Sequence, residues 1–378
     1  MAALVAGISS GEFSPVWAQT AVTPEEVLAG KLLGATDDLE TSIPSSSVLA
    51  LSDEMREFLR SHVNPGGTDV FRMQQLIDAM MGTTSFKLEY DENTRIASET
   101  FRLQQGNCLS FTTLFVALAR GTGLKADFQE VEIPPDWSTR KDVFVLNRHV
   151  NVIVQLGASG SRAIDFNIGD FKSTYRVEKI SDKRAIAHFF NNMGVERMQT
   201  GQISEAVAFF RRAIVDGDGE FSPPWTNLGM LYRKLGYYEH AEVAYIQAIK
   251  VDKEDDVAMS NLVSLYEKNG DLEKLEMYQK KVSKHRLRNP HLRYNLAREA
   301  FSAGDYSVAI EHLKSATRRV NDKAEYFFLL GVCYFMQGDE EKARRWTAKA
   351  LRVAETEEEK RRYSEKIEAL MQVSNSVH

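Results

Sequence analysis

The chain has 378 residues, 43% hydrophobic and 26% charged, with a formal charge of −6, which leaves room for two or more domains with sizeable cores. The acidic balance argues against nucleic acid as the main partner. The two cysteines, Cys108 and Cys333, fall in different domains and offer neither a disulfide framework nor metal-ligand spacing, and no apolar run reaches the about 18 residues of a membrane span. No cofactor is expected.

Residues 1–18 open on the apolar Met1 to Ile8 and close on Val16-Trp17-Ala18, whose small residues suit signal peptidase. A basic leader region is missing and Glu12 is atypical of a signal. The reading is an exported, periplasmic or extracytoplasmic protein whose mature chain begins near Gln19; the alternative is a cytoplasmic protein with a disordered tail. An N-terminal segment, 19–49, is mixed, with Pro44 to Ser47 as a loop. Residues 50–180 read as an α+β domain. Helices are predicted over Asp53 to Leu59 and Val70 to Met81, the first ending near Asn64-Pro65-Gly66-Gly67 and the second at Gly82.

A polar stretch, 93–105, then meets Gly106-Asn107-Cys108, after which Phe111, Leu114, Phe115, Leu118 and Ala119 recur at helical spacing. Cys108 therefore sits at or just before the first turn of a buried helix, where unpaired amides and the helix dipole favour a thiolate. A small buried apolar cysteine is the plain alternative. Gln104 and Gln105, just upstream, are candidate oxyanion donors. Lys125 to Ile133 alternates as a strand, and Pro134-Pro135-Asp136-Trp137 breaks it. Trp137 is a candidate pocket wall.

In Val143 to Leu156, Val150, Val152, Val154 and Leu156 point one way and His149 and Asn151 the other. In Arg162 to Phe166, Ile164 and Phe166 point inward and Asp165 outward. Gly157 to Ser161 reads as the hairpin loop. His149 and Asp165 are equidistant from Gly157, which suits direct pairing; the loop centre lies nearer Ser159, which calls for a bulge or a non-adjacent pairing. A nucleophile at a helix start, a base on a strand and a carboxylate to orient it compose a Cys-His-Asp triad.

Gly-Asn-Cys opening a helix, Arg148-His149-Val150-Asn151-Val152, then Ile164-Asp165-Phe166-Asn167 resemble the transglutaminase-like superfamily of papain-fold cysteine enzymes over about residues 50 to 175, with spacings of 41 and 16 residues. The resemblance implies a papain/transglutaminase-like domain, with Cys108, His149 and Asp165 catalysing amide hydrolysis or acyl transfer. Leu109 stands where the family commonly has an aromatic, and Phe166 where it usually has proline.

From about residue 187 the sequence repeats. Gly194, Gly229 and Gly331 share a column with Val263 and Ala297, and seven residues later stand Gly201, Gly236, Gly270, Gly304 and Gly338, at steps of 35, 34, 34 and 34. Further columns hold Ala206, Ala241, Leu275, Ala309 and Ala343, then Ala213, Ala248, Val282, Ala316 and Ala350. Trp225-x-x-Leu228-Gly229-x-x-Tyr232 resembles the tetratricopeptide (TPR) pattern, so residues 187–355 are read as five repeats forming an all-α solenoid, with 356–378 as a capping helix and tail. Cys333 falls inside a repeat helix and is read as core.

Asn192, Asn227, Asn261 and Asn295 recur two residues before the first glycine column, where the repeat family faces its concave groove. An amide pairs with one peptide unit, so the file suits an extended protein or peptide partner, flanked by Tyr294, Arg298 and Phe335. The plain alternative is hydrogen bonding to a neighbouring helix. Two functions follow: a cysteine-dependent amidase or acyl transferase whose repeats recruit substrate, or a non-catalytic TPR scaffold with a degenerate transglutaminase-like domain.

Overall fold

The computed structural model describes residues 22–36, 43–81, 86–132, 148–166, 176–217, 219–288, 290–354 and 356–377. Residues 1–18, Trp137 and Asn167 lie outside them. The N-terminal part comprises α1 (Pro24–Ala29), α2 (Asp53–His62), α3 (Asp69–Met81), β1 (Glu89–Tyr90), α4 (Ala97–Leu103), β2 (Gln105–Gly106), α5 (Cys108–Gly121), β3 (Lys125–Glu132), β4 (Arg148–Gln155), β5 (Ser161–Ile164) and β6 (Arg176–Ile180). Helices α2 and α3 and strands β3 to β5 follow the hydrophobic patterning. The stretch read as polar holds α4 instead, because Ala97 and Thr100 bury one face and Ile96 and Phe101 pack on the core.

β5, β4, β3 and β6 form one antiparallel sheet in that order. Helix α5 covers it: Leu114, Phe115 and Leu118 share a core with Ala126, Phe128, Val150, Val152, Val154 and Ile164. β1 and β2 pair separately, in parallel.

Ten helices follow as five antiparallel pairs: α6 (Asp182–Gln199) with α7 (Ile203–Val215), α8 (Pro223–Lys234) with α9 (Tyr238–Val251), α10 (Asp256–Asn269) with α11 (Leu272–Arg286), α12 (Pro290–Ser302) with α13 (Tyr306–Arg319), and α14 (Ala324–Met336) with α15 (Glu340–Val353). Helix α16 (Glu357–Val377) closes the array, its Tyr363 buried against Ala324 and Ala354. The C-terminal region is thus an all-helical solenoid. The glycine column explains the pairing: Gly201, Gly236, Gly270, Gly304 and Gly338 all have positive φ, from 71° to 89°, at the turn inside each pair. In the other column, a methyl group on Gly229 would lie 2.5 Å from the Tyr245 ring, so only glycine admits that contact.

The first pair joins the sheet without a linker. Phe189, Phe190, Phe209 and Ala213 belong to the same core as Phe115 and Phe128. On β3, Glu130 continues the face of Ala126 and Phe128 and meets α6, accepting from His188 Nε2 at 2.5 Å and Arg184 Nε at 2.7 Å. Both side chains also lie against Phe221, which leads into α8. Arg120, late in α5, forks onto Asp182 at the start of α6 at 2.6 and 2.8 Å. The segment before the domain also reaches the repeats: Val27 and Leu33 are buried with Ala206, Val207 and Tyr245. There Tyr232 Oη donates to the Val27 carbonyl at 2.8 Å, and Arg211 to those of Leu28 and Ala29.

Candidate functional site

Cys108 is the first residue of α5. Asn107 has extended backbone and caps the helix, its Oδ1 accepting from Ser110 N–H at 3.0 Å. The side chains around this start are fixed in turn. Asn107 Nδ2 donates to Thr94 Oγ1 at 2.7 Å, and Arg95 N–H donates to Ser110 Oγ at 2.9 Å. Arg95 forks onto both oxygens of Asp91 at 2.7 Å, and this bond, above all, holds the Asp91 carboxyl down at about 2. The loop ahead of the cysteine is therefore a rigid collar. Cys108 itself is half-buried, whereas Cys333 is fully buried in the fifth repeat, where burial pushes its thiol up to about 12.

One turn beyond Cys108, Thr112 Oγ1 donates to the Val150 carbonyl at 3.1 Å. That bond fixes the start of α5 beside the strand position that follows His149. His149 Nε2 donates to Asp165 Oδ1 at 2.7 Å, and both side chains are about nine-tenths buried, at 9% and 10% exposure. A carboxylate only accepts, so Nε2 carries a proton, and the tautomer this bond selects is the one with its lone pair on Nδ1.

The hairpin register corrects the simple pairing of His149 with Asp165. Val152 faces Ile164 and Ile153 faces Ala163, so continuation by one residue sets Asn151 opposite Asp165, with His149 two residues further along the same face. The loop is centred on Ala158 rather than Gly157, which makes the imidazole–carboxylate contact diagonal and leaves the directly opposed position to Asn151. Asn151 Nδ2 donates to Asp165 Oδ2 at 3.0 Å. Alternation had placed Asn151 on the His149 face; its role depended on the register.

Gln104 is the one non-glycine residue with positive φ, 54°, among the described residues. Its carbonyl accepts from Glu89 N–H and its side-chain oxygen from Lys87 N–H, at 2.8 and 3.2 Å, so its oxygen end serves the turn into β2. Gln105 is exposed on that strand. Tyr90, on the neighbouring β1, carries no strand signal in the sequence, because two residues are too few to show alternation. Its phenol is raised above its ordinary value by desolvation, then by Cys108, Glu92 and Asp91 in turn.

In the repeats, Asn192, Asn227 and Asn261 are half-buried and Asn295 is exposed. Asn227 Nδ2 donates to Asn191 Oδ1 on the preceding repeat at 2.8 Å, the inter-helix bond of the plain alternative. Arg298 is exposed, Tyr294 stacks on Tyr326 at 4.6 Å, and Phe335 packs partly on the fourth and fifth repeats. No group of His, Cys, Asp and Glu that could hold a metal occurs among the described residues, and none of their helices is long and apolar enough to cross a membrane.

Residues 222–255 and 294–358 match tetratricopeptide repeat families. These are tetratricopeptide repeats. A TPR repeat-containing protein of Methanocaldococcus jannaschii, MJ1428, is 24% identical over 201 residues, which are 49% of this chain and 34% of that protein. The chain thus spans about a third of that relative's length. Among solved structures, YrrB, described as a TPR protein with an unusual peptide-binding site, is 17% identical, covering 47% of this chain and 92% of its own, with a TM-score of 0.25. A MamA protein is 18% identical over 47% of this chain and 94% of its own, also with a TM-score of 0.25.

Proposed function

We propose that the protein is a cysteine-dependent amidase, peptidase or acyl transferase of the transglutaminase-like type, whose repeats deliver a protein or peptide substrate. The observation that carries this reading is the buried His149–Asp165 bond on a hairpin clamped to the first turns of the helix that Cys108 opens. In the mechanism, His149 Nδ1 takes the thiol proton, and Asp165 steadies the imidazolium formed. The thiolate attacks an amide carbonyl, and His149 returns the proton to the departing amine as the thioester forms. Water or a second amine then releases the acyl group, with His149 again the base. First-turn amides of α5 and the side-chain amides of Gln104 or Gln105 are the candidate donors to the oxyanion.

The repeats would hold an extended chain along Asn192, Asn227, Asn261 and Asn295, with Tyr294, Arg298 and Phe335 at the side. Export of the chain, with a mature start near Gln19, belongs to the same proposal and is checked by intact mass of the natively expressed protein.

The deciding experiment is labelling by a thiol electrophile at neutral pH. Wild-type protein is labelled at Cys108 and the His149→Ala variant is not; equal labelling of the two would leave a non-catalytic TPR scaffold. For the groove, Asn227→Ala with Asn261→Ala weakens binding of an unfolded peptide at nearly unchanged thermal stability. Parallel loss of folding and binding would assign both residues to helix packing.

A further inference from the structure

We propose that Asn151 is a positioning residue of the Cys108–His149–Asp165 site, fixing the Asp165 carboxylate so that the imidazole is held for proton transfer. The proposal rests on the cysteine-enzyme reading above and adds a fourth side chain to it.

Three observations carry it. The register, continued one residue past the last ladder pair Val152–Ile164, sets Asn151 across from Asp165. The two carboxylate oxygens are divided between neighbours on one strand face: Oδ1 takes His149 Nε2 at 2.7 Å and Oδ2 takes Asn151 Nδ2 at 3.0 Å. Asn151 is completely buried, yet its own Oδ1 has no partner among the described residues. A buried amide oxygen left unpaired is destabilising, and an apolar side chain of the same size would avoid the loss. For the fold alone, asparagine is therefore a poor occupant of this position. What it supplies is the donor.

The need for that donor follows from the torsions. Rotation about the carboxylate's Cβ–Cγ bond is soft, so one bond to His149 sets a distance without setting the plane. A second bond, to a side chain two residues from His149 on the same rigid strand, sets the plane as well. The imidazole is then held in one tautomer with Nδ1 directed away from Asp165, and the ionised carboxylate stays in place to support an imidazolium. Loss of Asn151 would leave the triad's residues present but loosely aimed.

Asn151→Leu tests this, because it keeps the branching and the number of heavy atoms, removes the donor and also removes the unpaired oxygen. The rate of Cys108 alkylation by iodoacetamide is measured from pH 5 to 10, with Cys333 silent through burial. The wild type shows an acidic limb that His149→Ala abolishes. In Asn151→Leu that limb moves up by about one pH unit, on the order of a tenfold loss of rate near its foot, while the rate at pH 10 and the thermal midpoint are held. Asn151→Ala gives the same displacement if leucine is not accommodated. A wild-type limb in either folded variant overturns the proposal and leaves the triad standing. Absence of a His149-dependent limb from the wild type overturns the enzyme reading, and this proposal with it.

Discussion

Glu130→Gln tests whether the contact between the sheet and the first repeat is electrostatic as well as apolar. In the wild type, burial alone would raise the Glu130 carboxyl, but the hydrogen bond and charge of His188, then those of Arg184, outweigh it and hold the group far below the usual carboxylate range. The Glu130, His188 and Arg184 side chains are only 14%, 7% and 10% exposed, so solvent screening is slight. Removing the acid's charge breaks its buried pairing with Arg184 and His188, a loss of about 3–5 kcal/mol at pH 7. The sign with pH follows from linkage: a group whose folded value is depressed stabilises above its unfolded value and loses that contribution as pH falls toward the folded one. Urea denaturation at pH 7 and at pH 4 and below measures this. The gap between wild type and Glu130→Gln is full at pH 7 and narrows below the ordinary carboxylate value of 4.5. A gap below about 1 kcal/mol at pH 7, or one that widens on acidification, would refute the assignment.

Glu196, on α6, should behave oppositely. Burial, the largest influence, raises its carboxyl despite the Thr94 N–H that it accepts at 2.8 Å, so its charge costs stability from the ordinary carboxylate value upward, in full above the folded one. Glu196→Gln keeps an acceptor for Thr94 and is expected to be more stable than wild type at pH 7, with the advantage vanishing below the ordinary carboxylate range; denaturation midpoints across pH decide. Gly229→Ala and Gly236→Ala should fail for different reasons. The first drives a methyl group into the fully buried Tyr245 ring, at about 1–3 kcal/mol, and is partly rescued by Tyr245→Leu. The second meets no atom within 4 Å but sits at φ +89°, so it costs about 1 kcal/mol, and Gly236→Asn, better tolerated there, costs less in the same melt.

The repeats were legible because one small-residue column and one turn glycine recur at near-constant steps, and each column does a single physical task. The sheet was legible through alternation in β3 and β4. The site was legible as a set of residues on elements but not as a geometry. His149, Asn151 and Asp165 share a face by parity alone, yet which of them oppose one another depends on the hairpin centre, and a shift of one residue along the loop exchanges direct and diagonal partners. The α6 charges were illegible for another reason. Glu130 on an alternating strand and Arg184 or His188 on a repeat helix each look like solvated charges until the two elements are placed face to face. Likewise, nothing in Thr23-Pro24-Glu25-Glu26 announces that Val27, far ahead of the repeats in the chain, shares a core with Tyr232 and Tyr245.

These seam contacts bear on how the two halves work together. In the second and third repeats, the position two residues after the first small-residue column is Leu231 and Leu265, both buried in the repeat core. In the first repeat the same position is Glu196, and it turns to the collar of the cysteine helix instead. From there the bonds run without a gap: Glu196 accepts from Thr94 N–H, Thr94 Oγ1 accepts from Asn107 Nδ2, and Asn107 Oδ1 caps Ser110 N–H in the first turn of α5. At the other end of α5, Arg120 is forked onto Asp182 of the same repeat helix. Both ends of the helix that Cys108 opens are thus tied to α6, while β4, through Thr112 and Val150, ties it to the strand of His149. A substrate chain lying along the repeats would therefore be held by a scaffold whose first helix also sets the position of the thiol. Separation of the repeats from the domain would free that helix at both ends, so the solenoid is a structural part of the candidate site and, on the proposed reading, its means of recruitment.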